Sequence, residues 1–180
     1  MRHNIEKKST FLSATIVLVY FFTLNSGILP AQTPDSLERQ IRHSLIMLPY
    51  YSVFDYLVFE LDGNNVTLKG QVERATLKSD AEFEVKRITG VGTVKNEIEI
   101  LPVSPNDSRL RLDIYRSIYY HPDFLRYAVR AVPTIHIIVK NGDVTLYGSV
   151  WTEGDKAHAC LLAKGVPGVF TVTDRLEVNP

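Results

Sequence analysis

Arginine and tyrosine residues are concentrated in residues 109–130, and these two residue types together can bind phosphate groups at an apolar boundary. An arginine guanidinium donates two parallel hydrogen bonds to a phosphate, and a tyrosine ring prefers the border between an apolar layer and water. Five arginines against two aspartates give the segment a net charge of +3. The pattern favours an anionic lipid surface or an aromatic protein interface. The candidate binding residues are Arg109, Arg111, Tyr115, Arg116, Tyr119, Tyr120, Arg126 and Arg130.

The same segment has a structural alternative. The aromatic rings could pack in a core or between domains, with the aliphatic parts of the arginine side chains covering them. The first helix of the chain, near residues 35–49, lacks this enrichment. Any binding role of the segment is therefore expected to belong to the second half of the chain.

The other residues that could do chemistry form no recognisable catalytic or metal site. The histidines beyond the N-terminal segment are His43, His121, His136 and His158, and no pair has the spacing of metal ligands. We expect His136 to be a partly exposed residue of a strand. The sequence has no Gly-x-Ser-x-Gly motif, and its glycine pairs precede strands instead of opening helices. We therefore expect a protein that is not an enzyme and has no cofactor, catalytic residue or metal ligand.

The single cysteine, Cys160, has no partner for an intrachain disulfide. It lies among alanine and leucine residues, so we expect a buried and unreactive thiol. No cysteine follows the N-terminal apolar segment, and a lipid anchor of the bacterial lipoprotein kind is not expected.

The N-terminal segment is typical of an export signal. Arg2, Lys7 and Lys8 precede residues 11–24, which carry no charge, and Ala31 is a plausible cleavage point. The apolar stretch is shorter than the roughly 20 residues that a membrane-spanning helix needs. We expect residues 1–31 to be a signal peptide and the protein to be exported to the periplasm. The alternative is an uncleaved segment that anchors the chain to the inner membrane.

The charge balance argues against nucleic acid as a partner. Lysine and arginine number 20, as do aspartate and glutamate, so the formal net charge is zero. Proteins that bind DNA or RNA generally carry a basic surface that neutralises phosphates. We expect no nucleic-acid binding.

An internal repeat organises the rest of the chain. Residues 66–72, VTLKGQV, recur as residues 144–150, VTLYGSV, with five of seven positions identical at a spacing of 78. Gly90 and Gly168 keep this spacing. Upstream the spacing falls to 73, where Pro49 matches Pro122, so the second copy contains five extra residues. The sequence therefore predicts two copies of one module.

Each copy has the pattern helix, strand, strand, helix, strand. Apolar residues four apart predict the first helix, and a turn rich in asparagine and glycine between two short apolar runs predicts a β-hairpin. In the second helix of the second copy we expect Ala157 and Leu161, with the small Ala159 and Cys160, to face the core. The fold class is α+β, with each α-β-β-α-β module a three-stranded mixed sheet covered by two helices.

The modules occupy residues 35–101 and 109–178, with residues 102–108 as a polar linker that contains proline. Modules of this size are near the lower limit for an independent hydrophobic core. We therefore expect each to gain support from the other module or from a partner.

The repeated motifs resemble the BON domain family. The resemblance rests on residues 65–72 with 90–100 and on residues 141–150 with 168–178, where Asp174 replaces an asparagine. It implies an exported bacterial protein with tandem domains, associated with phospholipid surfaces and envelope integrity. No catalytic residues are established for the family. Many envelope members carry a lipidated cysteine, which this chain lacks.

The function expected from the resemblance and the arginine–tyrosine segment is non-catalytic binding in the cell envelope. The second BON-like domain would engage anionic phospholipid or an envelope protein. One alternative is a soluble periplasmic stress or structural protein that acts by protein–protein contacts without binding lipid. Another is an accessory region of a secretion apparatus, since the same module occurs in such assemblies.

Overall fold

The computed structural model describes residues 34–129 and 133–179, which include both copies of the repeat. The predicted signal peptide at residues 1–31 lies outside the described residues, and so does the candidate binding residue Arg130. Within the described ranges, no helix has the length and apolar character needed to cross a membrane.

The first module begins with a helix whose apolar stripe, Leu37, Ile41 and Leu45, is buried. Its elements are α1 (Pro34–Ile46), β1 (Tyr56–Asp62), β2 (Asn65–Val72), α2 (Ala75–Lys86), β3 (Val94–Asn96) and β4 (Glu99–Ile100). The predicted last strand is thus divided into two short pieces. The Glu97 N–H donates to the Leu68 carbonyl at 2.8 Å between them, so the chain keeps its course beside β2.

The second module repeats this order with an insertion. Its elements are α3 (Pro105–Tyr119), a 3₁₀ turn (Pro122–Phe124), α4 (Leu125–Ala128), β5 (Ile135–Lys140), β6 (Asp143–Val150), α5 (Glu153–Lys164) and β7 (Thr171–Val178). The 3₁₀ turn and α4 lie where the sequence predicts five extra residues. Helix α3 begins inside the segment assigned to the linker, because the Ser104 hydroxyl caps it by accepting from the Asp107 N–H at 3.2 Å.

Both sheets are mixed. Strand β2 pairs antiparallel with β1 and parallel with β3 and β4, and β6 pairs antiparallel with β5 and parallel with β7. Helix α1 packs against α2, and α3 packs against α5. The predicted α+β fold of two repeated α-β-β-α-β modules is confirmed.

The second helices of the two modules bury different kinds of residue. Helix α2 buries Leu77, Ala81 and Val85, as the sequence pattern predicts. Helix α5 buries Ala159, as predicted, and also Ala163. Ala157 is exposed and Leu161 is 67% exposed, so the predicted core positions of these two residues are wrong. The alanine methyls let α5 lie close to α3, where the Ser117 hydroxyl donates to the Leu162 carbonyl at 3.1 Å.

The loop before β1 joins the first module to the second. Val53 from this loop is buried in the hydrophobic core of the second module. The Ile137 N–H on the edge strand β5 donates to the Val53 carbonyl at 2.7 Å. The Tyr56 and Tyr147 rings stack with centroids 4.1 Å apart. The expectation that these small modules support one another therefore has a direct structural basis.

Candidate binding surface

Helix α3 contains most of the candidate binding residues and is held firmly on the sheet. Leu110, Ile114 and Ile118 are completely buried on its inner face. At its N-terminal end the buried Asp107 carboxylate accepts from the Asn141 N–H at 2.8 Å and the Gly142 N–H at 2.9 Å. These bonds connect the first turn of α3 to the β5–β6 hairpin, so the outer face of the helix has a fixed orientation.

Arg111 and Tyr119 belong to the buried side of α3 and are corrections to the predicted surface. Arg111 is 2% exposed, donating to the Val139 carbonyl at 2.7 Å and to the Glu73 carboxylate of the first module at 3.4 Å. The buried Tyr119 hydroxyl donates to the Ile135 carbonyl at 2.5 Å and accepts from its N–H at 3.1 Å. Burial raises the pKa of Tyr119. Both side chains stabilise the fold and are not accessible to a lipid surface.

The exposed face of α3 carries a stripe made of Arg109, Leu112, Arg116 and Tyr120, which we call the α3 stripe. Residues three and four apart lie on one side of a helix. The two arginine side chains are more than half exposed, and Tyr120 is 71% exposed. Leu112 was not predicted as part of this surface, because the apolar pattern of the helix does not distinguish an outward leucine from a core leucine.

One aspartate moderates the positive charge of the α3 stripe. The Asp113 carboxylate lies 3.1 Å from the Arg109 guanidinium and 3.4 Å from that of Arg116. All three side chains are substantially exposed, so these pairs are weak and exchange readily with water or with another anion. Together the two arginines and this aspartate carry one net positive charge.

Tyr115 lies between the two modules instead of on the outer face. Its ring centroid is 4.9 Å from that of Tyr119 and 6.1 Å from that of Phe54, which belongs to the first module. The side chain is partly buried against the core of the second module. Tyr115 therefore packs between the modules, which is the structural alternative stated for the arginine–tyrosine segment.

Arg126 is bound within a polar network separate from the α3 stripe. Its guanidinium pairs with the Asp155 carboxylate at 2.5 Å and lies 5.0 Å from the centroid of the Trp151 ring. The Tyr127 hydroxyl donates to the same carboxylate at 2.8 Å. Burial acts to raise the pKa of Asp155, but hydrogen bonds from Tyr127, Thr152 and Arg126 outweigh it and lower the value. Arg126 therefore connects α4 to α5 while remaining partly exposed.

Three polar side chains, for which the sequence predicts no common site, lie together beside α4. His121 and Asp123 come from the 3₁₀ turn and its cap, and His158 comes from α5. One possible ligand atom from each lies within 4.8 Å of the other two. No sequence pattern predicts this grouping, because His158 is far along the chain from the other two and only the packing of α5 brings it close.

A cleft of about 500 Å³ lies between the modules, and the residues that line it include Tyr51, Tyr56, His136 and Arg175. His136 is 8% exposed, which corrects the expectation of a partly exposed histidine. Its ring lies 5.7 Å from that of Tyr51 and 5.8 Å from that of Tyr56. Loss of hydration lowers the pKa of His136, so the imidazole is neutral at pH 7.

The solved structures that this chain is similar to include two of CdsD, a structural protein of the type III secretion system of Chlamydia trachomatis. One, of the C-terminal domain, is 13% identical, covers 83% of this chain and 100% of that chain, and has a TM-score of 0.29. The other is 13% identical, covers 80% of this chain and 92% of that chain, and has the same TM-score of 0.29. A comparison with curated protein sequences gives no significant match.

The family comparison agrees with the repeat in the sequence and in the fold. The family model described as BON domain matches residues 35–102 and again residues 106–180. The two matches coincide with the two α-β-β-α-β modules. The chain therefore belongs to the BON domain family, of which it contains two tandem copies.

Proposed function

We propose that this chain is a non-catalytic binding protein of the cell envelope that docks on anionic phospholipid through the α3 stripe of its second module. BON domain proteins are generally binding or structural proteins and are typically associated with the envelope. The proposal includes export to the periplasm through the N-terminal segment at residues 1–31, with an uncleaved inner-membrane anchor as the alternative.

The observation that supports this proposal is the composition of the α3 stripe. Arg109 and Arg116 provide donors for lipid phosphates, while Leu112 and Tyr120 provide apolar groups on the same exposed face. A helix lying in a membrane interface needs this combination, because charge brings it to the surface and apolar side chains enter the headgroup boundary.

The distribution of charge favours the second module as the one that meets the lipid. Residues 35–101 contain eight basic and eleven acidic residues, a net charge of −3. Residues 109–178 contain nine basic and seven acidic residues, a net charge of +2. An anionic surface repels the first module and attracts the second, so the electrostatic field would orient the protein with its second module towards the lipid.

The expected binding is weak and depends on salt. A basic residue close to an anionic leaflet gains about 1 kcal/mol, and Asp113 offsets part of the attraction of the two arginines. Charge reversal at Arg116 removes one attraction and adds one repulsion, a change of about 2 kcal/mol or roughly thirtyfold in affinity.

Sedimentation with lipid vesicles tests the proposal. The chain should sediment with vesicles that contain phosphatidylglycerol and stay in solution with vesicles of phosphatidylcholine alone. Arg116→Glu should abolish most of this binding. The matched control is Arg87→Glu in the first module, because Arg87 is 64% exposed against 61% for Arg116, and each pairs with an acid three residues earlier at 3.4 Å.

The salt dependence separates lipid docking from the alternative function. At 1 M salt the Debye length is about 3 Å, so binding through the arginines should be strongly reduced. Binding that survives both high salt and Arg116→Glu would refute docking through the α3 stripe. Absence of binding to any vesicle would instead favour a soluble periplasmic protein that acts by protein–protein contacts.

A further inference from the structure

We infer that His121, Asp123 and His158 form a binding site for a divalent transition metal ion, with Zn²⁺ as the ion that fits best. The three residues supply two imidazoles and one carboxylate, which are common ligands of Zn²⁺ in proteins. One ligand atom from each of the three side chains lies within 4.8 Å of the other two. This site is separate from the α3 stripe and does not depend on lipid binding.

Two of the three separations between the ligand atoms are close to those that a tetrahedral ion requires. Two ligands held about 2.0–2.1 Å from a zinc ion at a tetrahedral angle lie about 3.3–3.4 Å apart. The Asp123 Oδ2 atom lies 3.6 Å from the Nδ1 atom of His121 and 3.3 Å from the Nδ1 atom of His158. On the aspartate side an ion therefore needs side-chain movements of only a few tenths of an ångström. The ligand nitrogens of the two imidazoles lie within 4.8 Å of each other, so they must approach by at most about 1.4 Å, which a rotation of the side chains can provide.

The orientation of one ligand also suits a metal. The His121 Nδ1 atom accepts from the Asp123 N–H at 3.4 Å. The bond is long and weak, and a cation placed between the side chains would replace it at little cost. The lone pair is then available to the ion.

The surroundings hold the two imidazoles in place. The Phe124 side chain is fully buried, and its ring centroid lies 5.5 Å from that of His158 and 6.3 Å from that of His121. The two imidazole centroids are themselves 4.7 Å apart in an edge-to-face arrangement. The Phe124 ring beside the two imidazoles limits their rotation. Ligands that are already ordered lose less entropy on binding an ion than mobile side chains do.

The site is a property of the second module alone. With the repeat spacings of 73 and 78, the positions that correspond to His121, Asp123 and His158 in the first module are Leu48, Tyr50 and Asp80. A bound ion would join the connection between α3 and α4 to α5. Three protein ligands leave a further coordination position open for water or for a ligand from another molecule.

Isothermal titration of the untagged full chain with Zn²⁺, in a buffer that does not coordinate metals, tests the site. We expect saturable binding of one ion per chain. His158→Asn and Asp123→Asn should each weaken the affinity at least about tenfold, since even residues that only orient a ligand contribute 10- to 100-fold. The matched control is His43→Asn, which removes an exposed helical histidine from the first module and should leave the affinity unchanged. Mg²⁺ should bind far more weakly, because it prefers oxygen ligands.

Nuclear magnetic resonance of the wild-type chain gives a second readout that does not depend on the folding of a variant. Zn²⁺ should shift the imidazole signals of His121 and His158 and leave those of His43 and His136 in place. Wild-type affinity in His158→Asn, or an unshifted His158 signal at saturating Zn²⁺, would overturn the proposal. Weakening by His43→Asn to the same degree would do so as well, since binding would then be non-specific.

Discussion

Gly148 lies at a point in β6 where the backbone of Thr134, just before β5, leaves no room for a side chain. Its φ angle is +106°, a conformation that residues with a Cβ atom rarely adopt. A Cβ atom added there would lie 1.9 Å from the Thr134 carbonyl oxygen. That oxygen also accepts a hydrogen bond from the Ser149 N–H at 3.0 Å. Gly148→Ala therefore disturbs the pairing of β5 and β6 with the smallest possible side chain.

The cost of Gly148→Ala has two parts. The disfavoured φ angle contributes about 1–3 kcal/mol. To relieve the contact, the Thr134 carbonyl must move by roughly 1 Å. Overpacking of this kind costs about a further 1–3 kcal/mol. We expect the free energy of unfolding of the second module to fall by about 2–6 kcal/mol, a large part of the 5–15 kcal/mol typical of a domain.

Urea unfolding followed by tryptophan fluorescence measures this effect. Trp151, the only tryptophan in the sequence, lies directly after β6 and reports on the second module. The control is Gly154→Ala in the first turn of α5, where a Cβ atom would meet only the Thr152 hydroxyl at 3.6 Å. This control should leave stability unchanged or raise it by up to about 1 kcal/mol. Equal unfolding midpoints for Gly148→Ala and the wild type would refute the argument.

Three further predictions concern buried polar groups. Asp155→Asn should lower the free energy of unfolding because it removes the charge that pairs with Arg126, and an unchanged urea midpoint would contradict this. Asp107→Ala should lower the free energy of unfolding by about 1–3 kcal/mol, because it leaves the Gly142 N–H without an acceptor. The protection of that N–H from hydrogen exchange should fall as a result. Burial lowers the pKa of His136 below 6.5, the value of an unfolded histidine. The neutral His136 side chain therefore makes its full contribution to stability above pH 6.5. This contribution is lost as the pH falls towards the lower pKa of the folded protein. His136→Phe should therefore lose less stability than the wild type between about pH 7.5 and about pH 5.5, and parallel profiles would show that His136 does not titrate as described.

The fold could be predicted from the sequence because its strongest signals are local and occur twice. The VTL-x-G-x-V motif at residues 66–72 and 144–150 combines strand alternation with a glycine at the same position in both copies. In the structure both motifs form the central strands β2 and β6. The prediction was wrong for α5, where Leu161 is exposed, because alanines bury little area and their pattern does not determine which face of a helix is inward.

Only part of the candidate surface could be predicted from the sequence. Arg111 is buried because a strand carbonyl and Glu73 of the first module accept its hydrogen bonds, and neither partner is close to it in the sequence. Arginine is almost never fully buried unless it is paired, so exposure was the natural expectation. The grouping of His121 with His158 depends in the same way on packing between distant elements. Residue type and spacing predicted helix α3 but not which of its side chains meet solvent.

The burial of Val53 in the second module has a consequence for how the chain folds during synthesis. The elements of the first module are complete once β4 has been made, but the strand that covers Val53, β5, ends only at Lys140. At a translation rate of about 5–20 residues per second, the roughly 40 intervening residues take about 2–8 seconds to appear. Throughout this interval the nascent first module displays an apolar loop that the unfinished second module will later cover. Until β5 is made, the Val53 loop therefore lacks the strand that covers it in the finished protein.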